Sequence, residues 1–274
     1  MAYKSKGFMI MKNIKSLGMA LLLLLAFLPA LSFAMDVDEI VNRANLASYY
    51  GGDDGKARVK MVIKNDKGDE RTREFTILRL DKEDGGDQFF YLYFHKPGDV
   101  AKTVFMVHKK VGGDDDRWLY LPALDLVKRI AASDKRTSFV GSNFFYEDVS
   151  GRQVDDDTHS LLEETDDAYI LMNVPKDPDS VEFSKYKLWI DKKTFLPVKA
   201  EYEDKQGKLY RVVEALKFGE FDGVPTVTES RVKDLVSGGE TVLTFSEIAY
   251  GVGLEESLFT ERYLRKPPRK YIRR

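Results

Sequence analysis

From Lys185 to Tyr250 the chain is a succession of strand-length runs with almost nothing between them. Lys185–Ile190, Leu196–Tyr202, Lys208–Phe218, Val224–Asp234 and Glu240–Tyr250 are separated only by turn signals. These are Asp191-Lys192-Lys193, Asp204-Lys205-Gln206-Gly207, Asp222-Gly223 and Ser237-Gly238-Gly239. Parallel strands need a crossover of a dozen or more residues, and these connections are far shorter. Five runs at roughly ten-residue spacing therefore pair each with the next as an antiparallel meander.

The first half reads the same way. Ala57, Val59, Met61 and Ile63 alternate with Arg58, Lys60 and Lys64, and Asn65–Gly68 turns the chain into Arg71–Leu80. Gln88–His95 is aromatic on both faces, with Phe89, Tyr91 and Tyr93 on one and Phe90, Leu92 and Phe94 on the other. Such a strand is covered twice, or faces core on one side and an internal cavity on the other. Thr103–Val111, Arg117–Leu121, Leu124–Ile130 (carrying Lys128 and Arg129), Leu161–Glu164 and Tyr169–Val174 are further strand-like runs. Helical spacing occurs only early, at Val37, Ile40, Val41 and Ala44, behind Asp36 as N-cap with Glu39 at the capping-box position. The fold class expected is mainly β (α+β): about eleven strands in one curved antiparallel sheet, closed or nearly closed, with two or three short helices.

The stretch from Trp118 to Gly151 departs from this regularity. Phe139, Phe144, Phe145 and Tyr146 fall within eight residues, beside Gly141 and the basic pair Lys135 and Arg136. That density of aromatics exceeds what a surface loop carries. The segment plugs a core by packing its own rings onto the sheet, or it lines or covers an apolar cavity as a lid.

Residues 1–34 read as a secretory signal peptide. Lys4, Lys6, Lys12 and Lys15 precede an apolar run from Leu17 to Leu31, and Ser32-Phe33-Ala34 offers a cleavage site after Ala34. Met9 and Met11 are alternative starts to Met1. The leader holds four of the chain's basic residues and none of its acidic ones, so the remainder is more acidic than the formal −2 of the whole. That balance argues against nucleic acid as a partner. With no cysteine, stability comes from a core rather than from disulfides, and a lipid anchor on cysteine is ruled out. Residues 35–264 form one domain, followed by a basic tail, 265–274. With Arg262 before it, the tail carries Arg265, Lys266, Arg269, Lys270, Arg273 and Arg274 around Pro267-Pro268. It is read as solvated, or as a contact for anionic lipid headgroups.

Catalytic signatures are missing. His95, His108 and His159 lie on separate segments without metal-binding spacing, Gly141-Ser142-Asn143 is no nucleophile elbow, and Gly251-Val252-Gly253 lacks a third glycine. The expectation is a protein that is not an enzyme and needs no cofactor or metal. Its apolar and aromatic strand faces suit the binding of a greasy ligand.

The leader, the short helix, Trp118-Leu119-Tyr120-Leu121-Pro122, Phe139-Val140-Gly141-Ser142 and Tyr146-Glu147-Asp148 together resemble the LolA-like outer-membrane lipoprotein-sorting proteins, as does Trp189-Ile190-Asp191 with Leu196-Pro197. The closer likeness is to a divergent branch associated with RND-type exporters. The resemblance implies a periplasmic incomplete barrel with short helices as a lid over an apolar cavity. It implies a carrier that shields lipoprotein acyl chains, or another lipid, between an inner-membrane transporter (ABC or RND type) and an outer-membrane acceptor. An alternative is a non-transporting adaptor subunit of an RND-type exporter, without cargo. Cavity and lid candidates are Phe89, Tyr91, Tyr93, Trp118, Tyr120, Phe139, Phe144, Phe145, Tyr146 and Trp189, with Gly141 as hinge. Candidates for a polar gate, where the namesake has a lid-latching arginine, are Arg71, Arg73 and Arg129.

Overall fold

The computed structural model describes residues 35–273; the proposed leader and its cleavage site lie outside them. Thirteen strands form one open antiparallel sheet. They are β1 (Asp54–Lys64), β2 (Glu70–Asp81), β3 (Gln88–Lys96), β4 (Val104–Lys109), β5 (Asp116–Leu121), β6 (Leu126–Ile130), β7 (Asp157–Glu164), β8 (Ala168–Pro175), β9 (Phe183–Asp191), β10 (Pro197–Asp204), β11 (Leu209–Phe221), β12 (Val224–Asp234) and β13 (Glu240–Tyr250). The class is the expected one, and the strand count exceeds the expected eleven. Every alternating run is a strand, including the short pair β5 and β6, which a turn at Pro122–Leu124 and left-handed Asp125 (φ +45°) connects.

The strand order is β6-β5-β4-β3-β2-β1-β13-β12-β11-β10-β9-β8-β7. Two meanders, β1–β6 and β7–β13, are therefore seamed where β1 pairs with β13, with Val59 opposite Phe245 and Ile63 opposite Thr241. This order has a topological consequence. β6 and β7 are consecutive in the chain but sit on opposite edges, so residues 131–156 must cross a whole face of the sheet to join them. The aromatic segment singled out in the sequence is this crossover.

The face it crosses, here the inner face, also carries α1 (Val37–Tyr49), which buries Ile40, Val41 and Ala44. α1 starts after Asp36 as expected, but the Asp36 side chain makes no cap bond, and Glu39 pairs with Arg43 one turn on instead. Inner-face residues of β1–β5 (Met61, Phe75, Phe90, Leu92, Phe94, Phe105) pack with Phe139 and Tyr146 of the crossover. The outer face of the same strands is sealed by the C-terminal segment. Leu254, Phe259, Leu264 and Ile272 pack on Leu78, Phe89, Tyr91, Met106 and Trp118. Two short helices, α3 (Glu261–Arg265) and α4 (Arg269–Ile272), belong to this cover. The tail read as solvated is thus docked through residues 264–273, because Leu264, Pro268 and Ile272 recur every four residues and are buried.

Candidate functional site

Between the crossover, the end of α1 and the inner face lies a cavity of about 390 Å³. Its walls are chiefly apolar: Met61, Phe75, Ile77, Phe90 and Leu92 from the first meander, Val213, Val227, Leu243 and Phe245 from the second, and Phe139 and Phe144 from the crossover. A volume in the range of roughly 300–1,000 Å³ suits a small-molecule site.

The crossover divides its aromatics among three tasks. Residues 139–142 form a tight turn in which the Ser142 N–H donates to the Phe139 carbonyl (3.0 Å), with Val140 at φ +43° and Gly141 at φ +78°. Both central residues of such a turn need positive φ, which glycine adopts freely and β-branched valine does not. The turn aims Phe139 into the core, with its ring 5.4 Å from Phe105 and 5.6 Å from Tyr146. Phe144 faces the cavity. Phe145 lies beneath two guanidinium groups, 4.8 Å from Arg136 and 4.4 Å from Arg211.

These arginines belong to a buried ionic network that anchors the crossover to β9–β11. The short helix α2 (Tyr146–Ser150) supplies Glu147 and Asp148. Glu147 is 2% exposed and meets Arg136 (2.6 Å), Lys135 (3.2 Å) and Arg152 (3.6 Å). Burial pushes its pKa up, but the three cations outweigh that and hold it below the usual carboxylate value. Arg136 also forks onto Glu182 (2.6 and 2.7 Å), to which the Tyr210 hydroxyl donates. Asp148 accepts from Arg211 (2.5 Å) and from the Phe145 N–H (2.6 Å), and Asp157 accepts from Arg152 and from the Tyr186 hydroxyl. Two Arg211 nitrogens have no hydrogen-bond acceptor; its guanidinium rests instead on the rings of Phe145 and Tyr202.

α1 is held at its C-terminal end. Arg79 donates to the carbonyls of Tyr49, Gly51 (2.7 Å) and Gly52, and Gln88 donates to the Tyr49 carbonyl (2.7 Å). The Tyr49 carbonyl is one that the last turn of a helix leaves unpaired, those of Gly51 and Gly52 belong to the chain just beyond it, and a cation there also complements the helix dipole. Asp81 orients both donors, at 3.3 Å from Arg79 and 2.7 Å from Gln88. Burial raises the Asp81 pKa to about 6, with Arg79 opposing. Arg79 was not among the expected gate residues. The signal for it was present, because alternation along β2 places it on the same face as Phe75 and Ile77.

Of the ten cavity and lid candidates, Phe139 and Phe144 line the cavity. Tyr146 is core and Phe145 joins the ionic network. Phe89, Tyr91, Tyr93, Trp118 and Tyr120 are on the outer face, against the C-terminal segment. Alternation defines two sets on a strand such as β3, and the cavity takes the other one, Phe90 and Leu92. Trp189 lies under Lys199 (4.8 Å), on the side of β9 away from Tyr186. Among the gate candidates, Arg71 is exposed, and Arg129 pairs with Asp116 over Trp118 on the outer face. Arg73 reaches the turn: a Cβ added to Gly141 would sit 3.7 Å from its Nη2. Loop and sheet are tied there by Thr241, which donates to the Asn143 side chain (2.8 Å) and accepts from the Asn143 N–H (3.0 Å). Among the described residues no group of His, Asp or Glu is placed to hold a metal ion.

A family model described as "Uncharacterized protein" matches residues 86–266. No curated protein matches the chain. Among solved structures, the chain is 32% identical to a DUF1329 family protein from Desulfovibrio piger, with a TM-score of 0.76 over 82% of this chain and 96% of that one. It is 29% identical, again at 0.76, to a domain from Vibrio parahaemolyticus assigned to outer membrane lipoprotein sorting, over 84% of this chain and 98% of that one. A LolA superfamily protein from Nitrosomonas europaea shares the fold at 22% identity and a TM-score of 0.64, over 84% of this chain and all of that one. With its open antiparallel sheet, its crossover and these likenesses, the chain belongs to the DUF1329 family, which is LolA-like.

Proposed function

We propose that this protein is a periplasmic carrier that shields the acyl chains of a lipid or lipoprotein in the inner-face cavity and passes them toward the outer membrane. The observation that carries the reading is the unfilled apolar space of about 390 Å³ beneath Phe144 and the end of α1, bounded by covers attached through polar links. Each methylene buried there is worth about 0.8 kcal/mol. A carrier must also release, so its covers have to part without unfolding the sheet. Arg79 of β2 at the end of α1, and Thr241 with Asn143 on the turn, are links that can break while the thirteen strands stay paired. The name of the Vibrio parahaemolyticus domain and the leader-like residues 1–34 support the same compartment and cargo class. An inner-membrane transporter as donor and an outer-membrane acceptor complete the proposal. Transfer of this kind makes and breaks no covalent bond.

Native mass spectrometry with lipid extraction, on protein purified from periplasm without detergent, tests it. A stoichiometric amphiphile or acylated peptide is expected, and Ala215→Trp, which fills the cavity from β11, is expected to lose it while remaining folded. A clean apo mass after incubation with membranes would overturn the carrier reading in favour of a cargo-free exporter subunit.

A further inference from the structure

The outer face holds a second cavity, larger and of opposite chemistry. It lies between the sheet and the docked C-terminal segment, with a volume of about 910 Å³. Arg58 and Lys102 line it from the sheet side, and Arg265, Lys266, Arg269 and Arg273 from the tail side; His95 also borders it, and no Asp or Glu does. Only Arg265 among these six cations has a carboxylate partner among the described residues, Asp125 at the rim (2.9 Å). Arg58 donates to the Thr76 hydroxyl (3.3 Å), and Glu74, beside these residues on β2, is paired with Lys96 (3.5 Å). The remaining walls include Tyr93, Tyr120, Leu264 and Ile272. Burial raises the Tyr93 pKa, with Arg269 opposing, so its hydroxyl stays a donor at neutral pH.

We propose that this cavity is a binding site for a phosphate group, one wall of which is the docked C-terminal segment. Like charges converging on one space repel, and an anion between them turns that cost into attraction. More cations are gathered than a single carboxylate can engage. Guanidinium forks match phosphate oxygens in pairs, and lysine adds point charge. Two walls from segments remote in sequence, β1–β5 and residues 264–273, make the site a clamp: the anion and the tail hold each other in place. The shared chemistry fits a soluble phosphate ester or a phospholipid headgroup, the tyrosines and aliphatic side chains packing against whatever the phosphate is attached to.

Calorimetric titration of the full chain with inorganic phosphate and glycerol 3-phosphate, together with flotation on phosphatidylglycerol and on phosphatidylcholine vesicles, tests this. Saturable binding that weakens with salt is expected. It should fall about tenfold or more in the double variant Arg58→Gln/Arg269→Gln. Lys266→Gln/Arg269→Gln, confined to exposed positions, serves if the first pair impairs folding. Lys185→Gln/Lys217→Gln removes the same charge from other strands and should bind as the unaltered protein does. Binding of the soluble esters alone identifies a soluble ligand. Selective flotation on phosphatidylglycerol that the pocket variants lose identifies a headgroup. Absence of both, or equal loss in the control pair, would overturn the proposal.

Discussion

On the outer face the C-terminal segment is held by ring and aliphatic packing: Phe259 stacks on Phe89 at 5.3 Å and, with Leu264, is at most 1% exposed. On the inner face the crossover is held largely by charge, through Glu147, Asp148, Arg136 and Arg211, and about 390 Å³ stays open beside Phe144. The outer cover is not purely apolar, since Asp54 accepts the Val252 and Leu254 N–H groups and His108 meets the Phe259 carbonyl. The inner cover is not purely ionic, since Phe139 is a core residue. The balance nonetheless differs. Apolar burial is additive and non-directional and makes a permanent seal. Buried ion pairs cost nearly as much to desolvate as they return, and they hold one geometry until a partner changes. The outer cover therefore rests on an apolar seal, while the hold of the inner cover depends on charges that must stay paired.

Phe259 carries the largest share of the outer seal. Phe259→Ala is expected to cost about 3–5 kcal/mol, read by urea denaturation, while amphiphile binding per folded molecule is kept. A loss below about 1 kcal/mol would mean that the outer seal is not apolar in origin. Glu147→Gln should cost somewhat less, about 3 kcal/mol, because Arg136, Lys135 and Arg152 lose their common carboxylate. Hydrogen exchange should show the loss in residues 138–150 before the β-sheet; uniform loss would dissolve the contrast between the covers. The smallest effect is that of acid. Burial pushes Glu182 up, but the Arg136 hydrogen bond and charge bring it down from 4.5 to about 2, and Glu147 is lowered in the same way. A folded value below the unfolded one means the unfolded state binds more protons in that window. This stabilisation is therefore whole above about pH 4.5 and is lost as pH falls toward 2. Protection of the crossover should fade over that range ahead of the segment around Phe259, and simultaneous loss would count against an ionic anchor.

Much of the fold was legible along the chain. Alternation in Ala57–Ile63 or Val224–Asp234 marks a strand because side chains on a strand repeat every two residues whatever lies above them. The cavity was harder to read. On β3 both parities are apolar, so alternation separates Phe89, Tyr91 and Tyr93 from Phe90, Leu92 and Phe94 without saying which set looks inward. Arg79 was legible as an arginine on an apolar face, but its acceptors, the carbonyls at the end of α1, lie some thirty residues earlier. The tail showed its burial rhythm at Leu264, Pro268 and Ile272, yet its basic residues masked a buried edge.

Local features follow from the residues alone: where strands and turns fall, that one antiparallel sheet results, and that residues 139–146 hold more aromatic surface than a loop can leave in water. Long-range packing sets which face is inside, the pairing of β1 with β13 across the length of the domain, and the role of the stretch from β6 to β7 as a cover over the sheet. The physical reason is one of range. Turn chemistry and side-chain periodicity act between near neighbours, whereas the facing of a sheet depends on which distant segments bury their apolar sides against it.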